Sequence, residues 1–129
     1  MVMRKVIYIF IFGFIGGILR GYFTFISGDN HFIATAIINI VGSFLLALIT
    51  GMLPKVMNLS ESFISGISMG LIGGFTTFST FSFDSINLLI NHEIGLGVLY
   101  ILVSLIGGLI FANLGNSLGN LIMSRGEVR

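Results

Sequence analysis

The chain has no cysteine, no tryptophan and a single proline, and only 9% of its 129 residues are charged. Without cysteine there is no disulfide, no thiolate metal site and no cysteine nucleophile, and nothing marks the redox compartment. The shortage of charge excludes more. In soluble domains about a quarter of residues are charged, whereas here 55% are hydrophobic, the composition of a membrane protein. A formal net charge of +1 argues nothing about nucleic acid. No Ser/His/Asp set, phosphate loop or metal-ligand spacing emerges, and His31 and His92 fall in separate loops where solvation is expected. An enzyme is therefore not expected.

What the chain does have is long apolar runs. A span needs about 20 apolar residues, and four segments qualify: Val6 to Ile26, Phe32 to Leu53, Ser62 to Ile90 and Ile94 to Met123. They leave no room for a soluble domain, so residues 1–129 read as one all-α, four-span transmembrane domain. The opening "MVMRK" introduces a run too long for a signal-peptide core and without a small-residue cleavage site, so it is kept as the first span. Loops carry breakers: "SGDNH" at Ser27 to His31, "PKVMNLSES" from Pro54, and "NHE" at Asn91 to Glu93. Ser60, with Glu61 and Ser62 behind it, is a helix start. An even number of spans places both termini on one side, with Arg4, Lys5, Lys55, Arg125 and Arg129, while the opposite loops hold no Lys or Arg. The positive-inside rule makes that basic side cytoplasmic.

Two glycine series, Gly13, Gly17, Gly21 and Gly66, Gly70, Gly74, have the small-xxx-small spacing of close helix packing or oligomerisation. The third span is longer than a straight crossing requires, which predicts a break near Gly73 to Thr77. There Gly73 and Gly74 tolerate non-helical dihedrals, and threonine hydroxyls can satisfy freed backbone groups. Broken helices supply exposed carbonyls and a positive half-helix N-terminus for ions.

Polar residues recur along helical faces. Thr35, Asn39 and Ser43 share one face of the second span, either as interhelical glue or, for Asn39, as a donor to an anion stripped of water. Tyr100 and Ser104, continued by Gly108 and Ala112, form either a donor track or, for Tyr100, part of an interfacial aromatic belt. Charges inside spans are functional candidates by default. Arg20 either serves such a role or snorkels to the interface, and Asp84 is expected to pair with Arg20 or with an equivalent residue of a partner chain. Phe78 and Phe81 lie three apart, interleaved with Ser79 and Thr80. They either pack a core or turn their positive ring edges to an anion.

The stretch "GGFTTFSTFSFD", Gly73 to Asp84, resembles the hallmark of the fluoride channels, the Fluc/CrcB family. The similarity extends over the whole chain: an Arg in the first span, an Asn in the second, this stretch in the third and a Tyr-xxx-Ser stripe in the fourth. The resemblance implies an antiparallel, dual-topology-type dimer with two fluoride pathways and a central structural sodium ion. Phe78 and Phe81 would form the aromatic box, Asn39 the pore asparagine, and Tyr100 and Ser104 the polar track, with Thr35 on the neighbouring face and Ser79 and Thr80 counted along the pathway. Arg20 matches the vestibule arginine, Asp84 is the second charged position, and the backbone carbonyls of Gly73 and Thr76 match the sodium ligands.

This chain departs from that pattern in three places. Gly108 stands where the track has a third hydroxyl, Asp84 stands where relatives usually have Glu, and the loop charges are strongly biased, which suits a heterodimer of oppositely oriented paralogous chains as well as a homodimer. The implied function is passive export of fluoride across a bacterial cytoplasmic membrane, giving fluoride resistance. Two other classes compete: a small multidrug-resistance-type exporter, which wants an acidic residue where the first span has Arg20, and a non-transporting membrane assembly subunit, which leaves the polar third span without a purpose.

Overall fold

Residues 2–126 are described in the structure, a computed structural model; Arg129, counted above with the basic side, lies outside them. Helix α1 spans Val2–Ile26, a 3₁₀ turn at Gly28–Asn30 follows, and α2 runs His31–Val56. Next comes an interrupted segment: α3 at Glu61–Ser65, a π-helical stretch at Gly66–Ile72, the single turn α4 at Gly73–Phe75, and then, after two extended residues, α5 at Phe78–Ile90. Helix α6, Ile94–Gly126, is the longest.

Three stretches, Val2–Ile26, Gly28–Lys55 and Ile94–Arg125, are long and apolar enough to cross a membrane. They are apolar on the outside. Phe10, Phe14 and Phe25 of α1 are 75%, 67% and 85% exposed. Among the described residues, the buried polar set of Thr35, Ser68, Thr77, Asp84, Ser85 and Ser104 outweighs the buried apolar set of Ala34, Ala36, Ile38, Ile72 and Tyr100. A water-soluble fold buries the reverse. Together with the helix lengths, this is the architecture of a multi-pass membrane protein.

Packing divides the chain into two groups joined at the break. Helix α1 lies against α3, the π-helical stretch and α4, while α2 and α6 form the most extensive pair, with α5 leaning on α6. The glycines of the interrupted segment make the first group possible. A Cβ on Gly74 would stand 2.6 Å from the Gly13 carbonyl oxygen, one on Gly70 would stand 2.7 Å from that of Ile9, and one on Gly16 would run into the Leu71 carbonyl. Small residues thus let two backbones touch where lipid provides no hydrophobic drive for association. Only Gly13 of the first series takes part: Gly17 and Gly21 meet nothing in this chain, and Gly16, outside that spacing, makes the closest approach.

Helix ends follow local chemistry with one exception. Ser60 caps α3 by accepting the Phe63 N–H at 3.3 Å, as its position predicts. Pro54, expected to open a loop, lies inside the last turn of α2, which continues to Val56 and is closed by Met57 N–H on the Leu53 carbonyl at 3.1 Å. A proline removes one helical bond but not those on either side of it, so the helix ends after it.

Candidate functional site

The break falls at Thr76 (φ −78°, ψ 160°) and Thr77 (φ −151°, ψ 126°), both extended. Gly73 and Gly74, where it was expected to begin, remain helical; Gly74 is pressed against Gly13 of α1, and Gly73 borders the cavity described below. What holds the chain open is Asn39, reaching from α2. Its Nδ2 donates to the Thr77 carbonyl and its Oδ1 accepts the Thr77 N–H, both at 2.8 Å. The side chain therefore imitates a strand partner for one residue, and the pair of bonds fixes which end of the amide is oxygen. The Thr77 N–H would otherwise have closed a helical bond to the carbonyl of Gly73.

Thr77 then starts α5. Its Oγ1 accepts the Thr80 N–H at 3.2 Å and lies 3.3 Å from Ser79 Oγ and 3.1 Å from Thr80 Oγ1. This leaves the first N–H groups of α5, those of Phe78 and Ser79, without helical acceptors, at the positive end of the helix dipole. On the other side of the break, Arg20 Nη1 donates to the Thr76 carbonyl at 3.3 Å.

A cavity of about 380 Å³ opens at this point, lined by Asn39, Gly42, Ser43, Leu46, Gly73, Thr76, Thr77, Phe78, Phe81, Ser104 and Leu105. It collects much of the expected site: Asn39, both phenylalanines, Ser104, Gly73 and Thr76 border one space. Phe78 is 80% exposed in the chain and is therefore not a core residue. Its ring centroid lies 6.0 Å from that of Phe81, and Phe81 lies 5.4 Å from Tyr100. The three rings make a ladder from the cavity toward the α1–α2 turn.

The remaining residues sit around this space. Tyr100 is buried behind Phe81, and its hydroxyl and that of Ser104, one turn on, are both buried without a hydrogen-bond partner. Buried polar atoms are nearly always paired, so two orphans in line mark a place built to be occupied. Thr35 is also buried, its hydroxyl donating to the His31 carbonyl at 3.0 Å. Ser79 and Thr80 do not border the cavity; their hydroxyls turn to Thr77.

Two charge assignments change. Asp84 does not pair with Arg20, which is committed to the Thr76 carbonyl; its Oδ1 lies 3.1 Å from His31 Nδ1. His31, expected to be solvated, is only half-exposed and opens α2 beside α5. The reason is topological. The 3₁₀ turn at Gly28–Asn30 delivers His31 to the C-terminal half of the broken segment, while Arg20 faces its N-terminal half. Ser43, which the sequence leaves open between interhelical glue and a functional role, is a lining residue. Its Oγ lies 3.6 Å from where a Cβ on Gly108 would stand, so α2 supplies a hydroxyl where α6 has none. The signal was present in the four-residue repeat with Thr35 and Asn39.

Unspent donors gather around the break: two orphan hydroxyls, the second hydrogen of the Asn39 amide and the first N–H groups of α5. Donors converging in a narrow apolar setting suit a small anion. In sequence, residues 7–116 match the family described as CrcB-like protein, Camphor Resistance (CrcB). A Listeria innocua protein named fluoride-specific ion channel FluC 2 is 43% identical over 121 residues, covering 93% of this chain and 94% of that one. Proteins of Bacillus cereus and Bacillus anthracis, each named fluoride-specific ion channel FluC 1, are 41% and 40% identical over 129 residues, covering 95% of this chain and 94% of theirs.

Proposed function

This chain belongs to the CrcB-like protein family, and we propose that it is a fluoride-selective channel exporting cytoplasmic fluoride passively, and so giving fluoride resistance. It is a channel and not an enzyme. The observation that carries the reading is the pair of buried, unpartnered hydroxyls of Tyr100 and Ser104 beside a cavity floored by Asn39. Fluoride is small and strongly hydrated, so a dry pore must replace its water with close donors, which larger chloride would meet at the wrong spacing. Asn39, Tyr100 and Ser104 supply donors, and Phe78 and Phe81 present positive ring edges. Thr35, Ser79 and Thr80 flank the route with hydroxyls that must turn from their present partners, the His31 carbonyl for Thr35 and the Thr77 hydroxyl for the other two, to serve it. An anion leaving a negative-inside cell is driven by about 2.3 kcal/mol per 100 mV, so no coupled ion is needed.

In this reading the interrupted segment is a fourth crossing, broken at mid-depth where protein covers it. A second, antiparallel copy, or an oppositely oriented paralogous chain, covers α1, whose Phe10, Phe14 and Ile18 have no shelter within the chain. Termini on the cytoplasmic side of a bacterial inner membrane follow from the bias of Arg4, Lys5, Lys55 and Arg125. A structural sodium ion would use the carbonyls of Gly73 and Thr76, hard oxygen donors that the break takes out of the helical ladder. The fit is partial in one chain. Two carbonyls are too few for a cation, and Thr76 already accepts from Arg20, so the shell is completed only with a second copy.

Fluoride efflux from liposomes holding the purified chain, driven by a potassium gradient with valinomycin and with chloride recorded in parallel, tests the reading. Rapid fluoride loss with chloride retained is expected, and the double variant Phe78→Ile/Phe81→Ile should abolish it while the protein stays folded. Silence from folded protein, both alone and with a co-purified opposite-facing partner, would rule out fluoride conduction.

A further inference from the structure

The carboxylate of Asp84 is the one feature near the route that works against an anion. Its side chain is 1% exposed, and neither oxygen has a hydrogen-bond donor in geometry; among the described residues its one ion-pair contact is His31 Nδ1, 3.1 Å away. A buried carboxylate without a counter-charge is costly. It is also badly placed for conduction, because Asp84 follows Phe81 by three residues on α5, and the Phe81 ring packs 5.4 Å from that of Tyr100. An anion resting on Tyr100 would therefore sit next to a negative charge in a low-dielectric setting, where repulsion is strong.

We infer that His31 is a charge-compensating, positioning residue of the conduction route, neutralising Asp84 when protonated and so making the anion's rate depend on pH; the inference rests on the fluoride reading above. Among the described residues of this chain no other compensator is in reach. From α6 the group facing Asp84 is Tyr100, which is neutral; from α1, Arg20 is committed to the Thr76 carbonyl; and Asp29, two residues before His31, is exposed and forms no ion pair with it. Among the described residues, no Lys or Arg lies within ion-pair range of Asp84. The imidazole lies between Asp84 and Phe32: its Nδ1 is 3.1 Å from Asp84 Oδ1, and its ring meets Phe32 edge-on at 6.4 Å, with Phe32 in turn edge-on to Tyr100 at 5.9 Å. Histidine changes charge between about pH 5 and 8, so the compensation is switchable where a Lys or Arg would be permanent. The sign follows directly: protonation at low pH removes the barrier, and deprotonation restores it.

The test is fluoride efflux from liposomes with the same pH on both sides, scanned from about 5.5 to 8, with leak from protein-free vesicles subtracted. The wild-type rate should fall with rising pH by roughly five- to tenfold, the size of effect expected from switching one nearby charge. His31→Gln should remain at the slow end, His31→Lys should stay fast at every pH, and His31→Gln/Asp84→Asn should be restored and flat. All variants are first shown to be monodisperse. A conducting wild type whose pH profile survives unchanged in His31→Gln, or a slow His31→Gln that Asp84→Asn does not rescue, overturns the inference and leaves the channel intact. A wild type silent at every pH, both alone and with a co-purified opposite-facing partner, overturns the channel reading and the inference with it.

Discussion

The two halves of the interrupted segment show two ways of using a membrane helix. The half from Glu61 to Phe75 is held by backbone contact: Gly66, Gly70 and Gly74 press on Tyr8, Ile9, Phe12 and Gly13, and the backbone widens into a π-helical stretch as it passes α1. The half from Phe78 to Ile90 touches its neighbours lightly, carries exposed Phe78 and Phe83, and begins on a threonine cap with free N–H groups. The first half is a support with no room to move. The second keeps its polar groups available and relies on α2 to hold its start. Rigidity on one side of a break and unspent donors on the other are what an ion route requires, since donors placed by a loose scaffold would not discriminate by size.

Substitutions can break this contrast, beginning with the most severe. Gly16→Val should yield no monodisperse protein, because its side chain would enter the Leu71 carbonyl and stand against Phe75 N; overpacking of rigid backbone costs about 3 kcal/mol or more. Gly17→Ala, one residue away and facing open space, should leave the elution profile unchanged. If both variants behave alike, backbone contact is not what fixes the first half.

Asn39→Ala comes next. It strips both partners from the Thr77 backbone, and each unpaired buried group costs about 1–3 kcal/mol, so thermal stability and fluoride flux should fall together. Asn39→Asp keeps an acceptor for the Thr77 N–H but sets an oxygen against the Thr77 carbonyl, and should recover neither. Flux lost with an unchanged melting temperature would mean that Asn39 only contacts the ion and does not hold the break.

The mildest change is Thr77→Val, which removes the cap of α5 and should cost about 1 kcal/mol, with Thr77→Ser recovering most of it. Amide exchange at Thr80 reads the effect locally. Protection unchanged in Thr77→Val would show that the second half is secured elsewhere along its contact with α6.

Much of this was legible before the structure. The break was expected between Gly73 and Thr77, and Asn39, Phe78, Phe81 and Ser104 were expected to share a site; they border one cavity. The misreadings have a common cause, that they concern which distant segment meets which. Gly73 and Gly74 looked like the weak point but stay helical, with Gly74 packed into α1, and the helix opens two residues later because Asn39 intercepts Thr77. Arg20 and Asp84 looked like a pair, as two rare charges in apolar spans would, yet they belong to opposite halves of the segment. His31 looked like a loop residue because it borders "SGDN", with no local sign of a buried carboxylate nearby.

The apolar runs, scarce charge and hydroxyl-rich stretch were enough to establish a helical membrane protein with a polar break, because those properties depend on composition and short-range spacing and on the cost of exposing backbone to lipid. Which residue opens the break, which hydroxyls are left without partners and which charge faces Asp84 depended on contacts between α2 and the interrupted segment, nearly forty positions away in the chain for Asn39 and Thr77. Spacing along one helix contains no information about the register of another. That register came from backbone contact at the glycines and from a single amide satisfying two backbone groups at once.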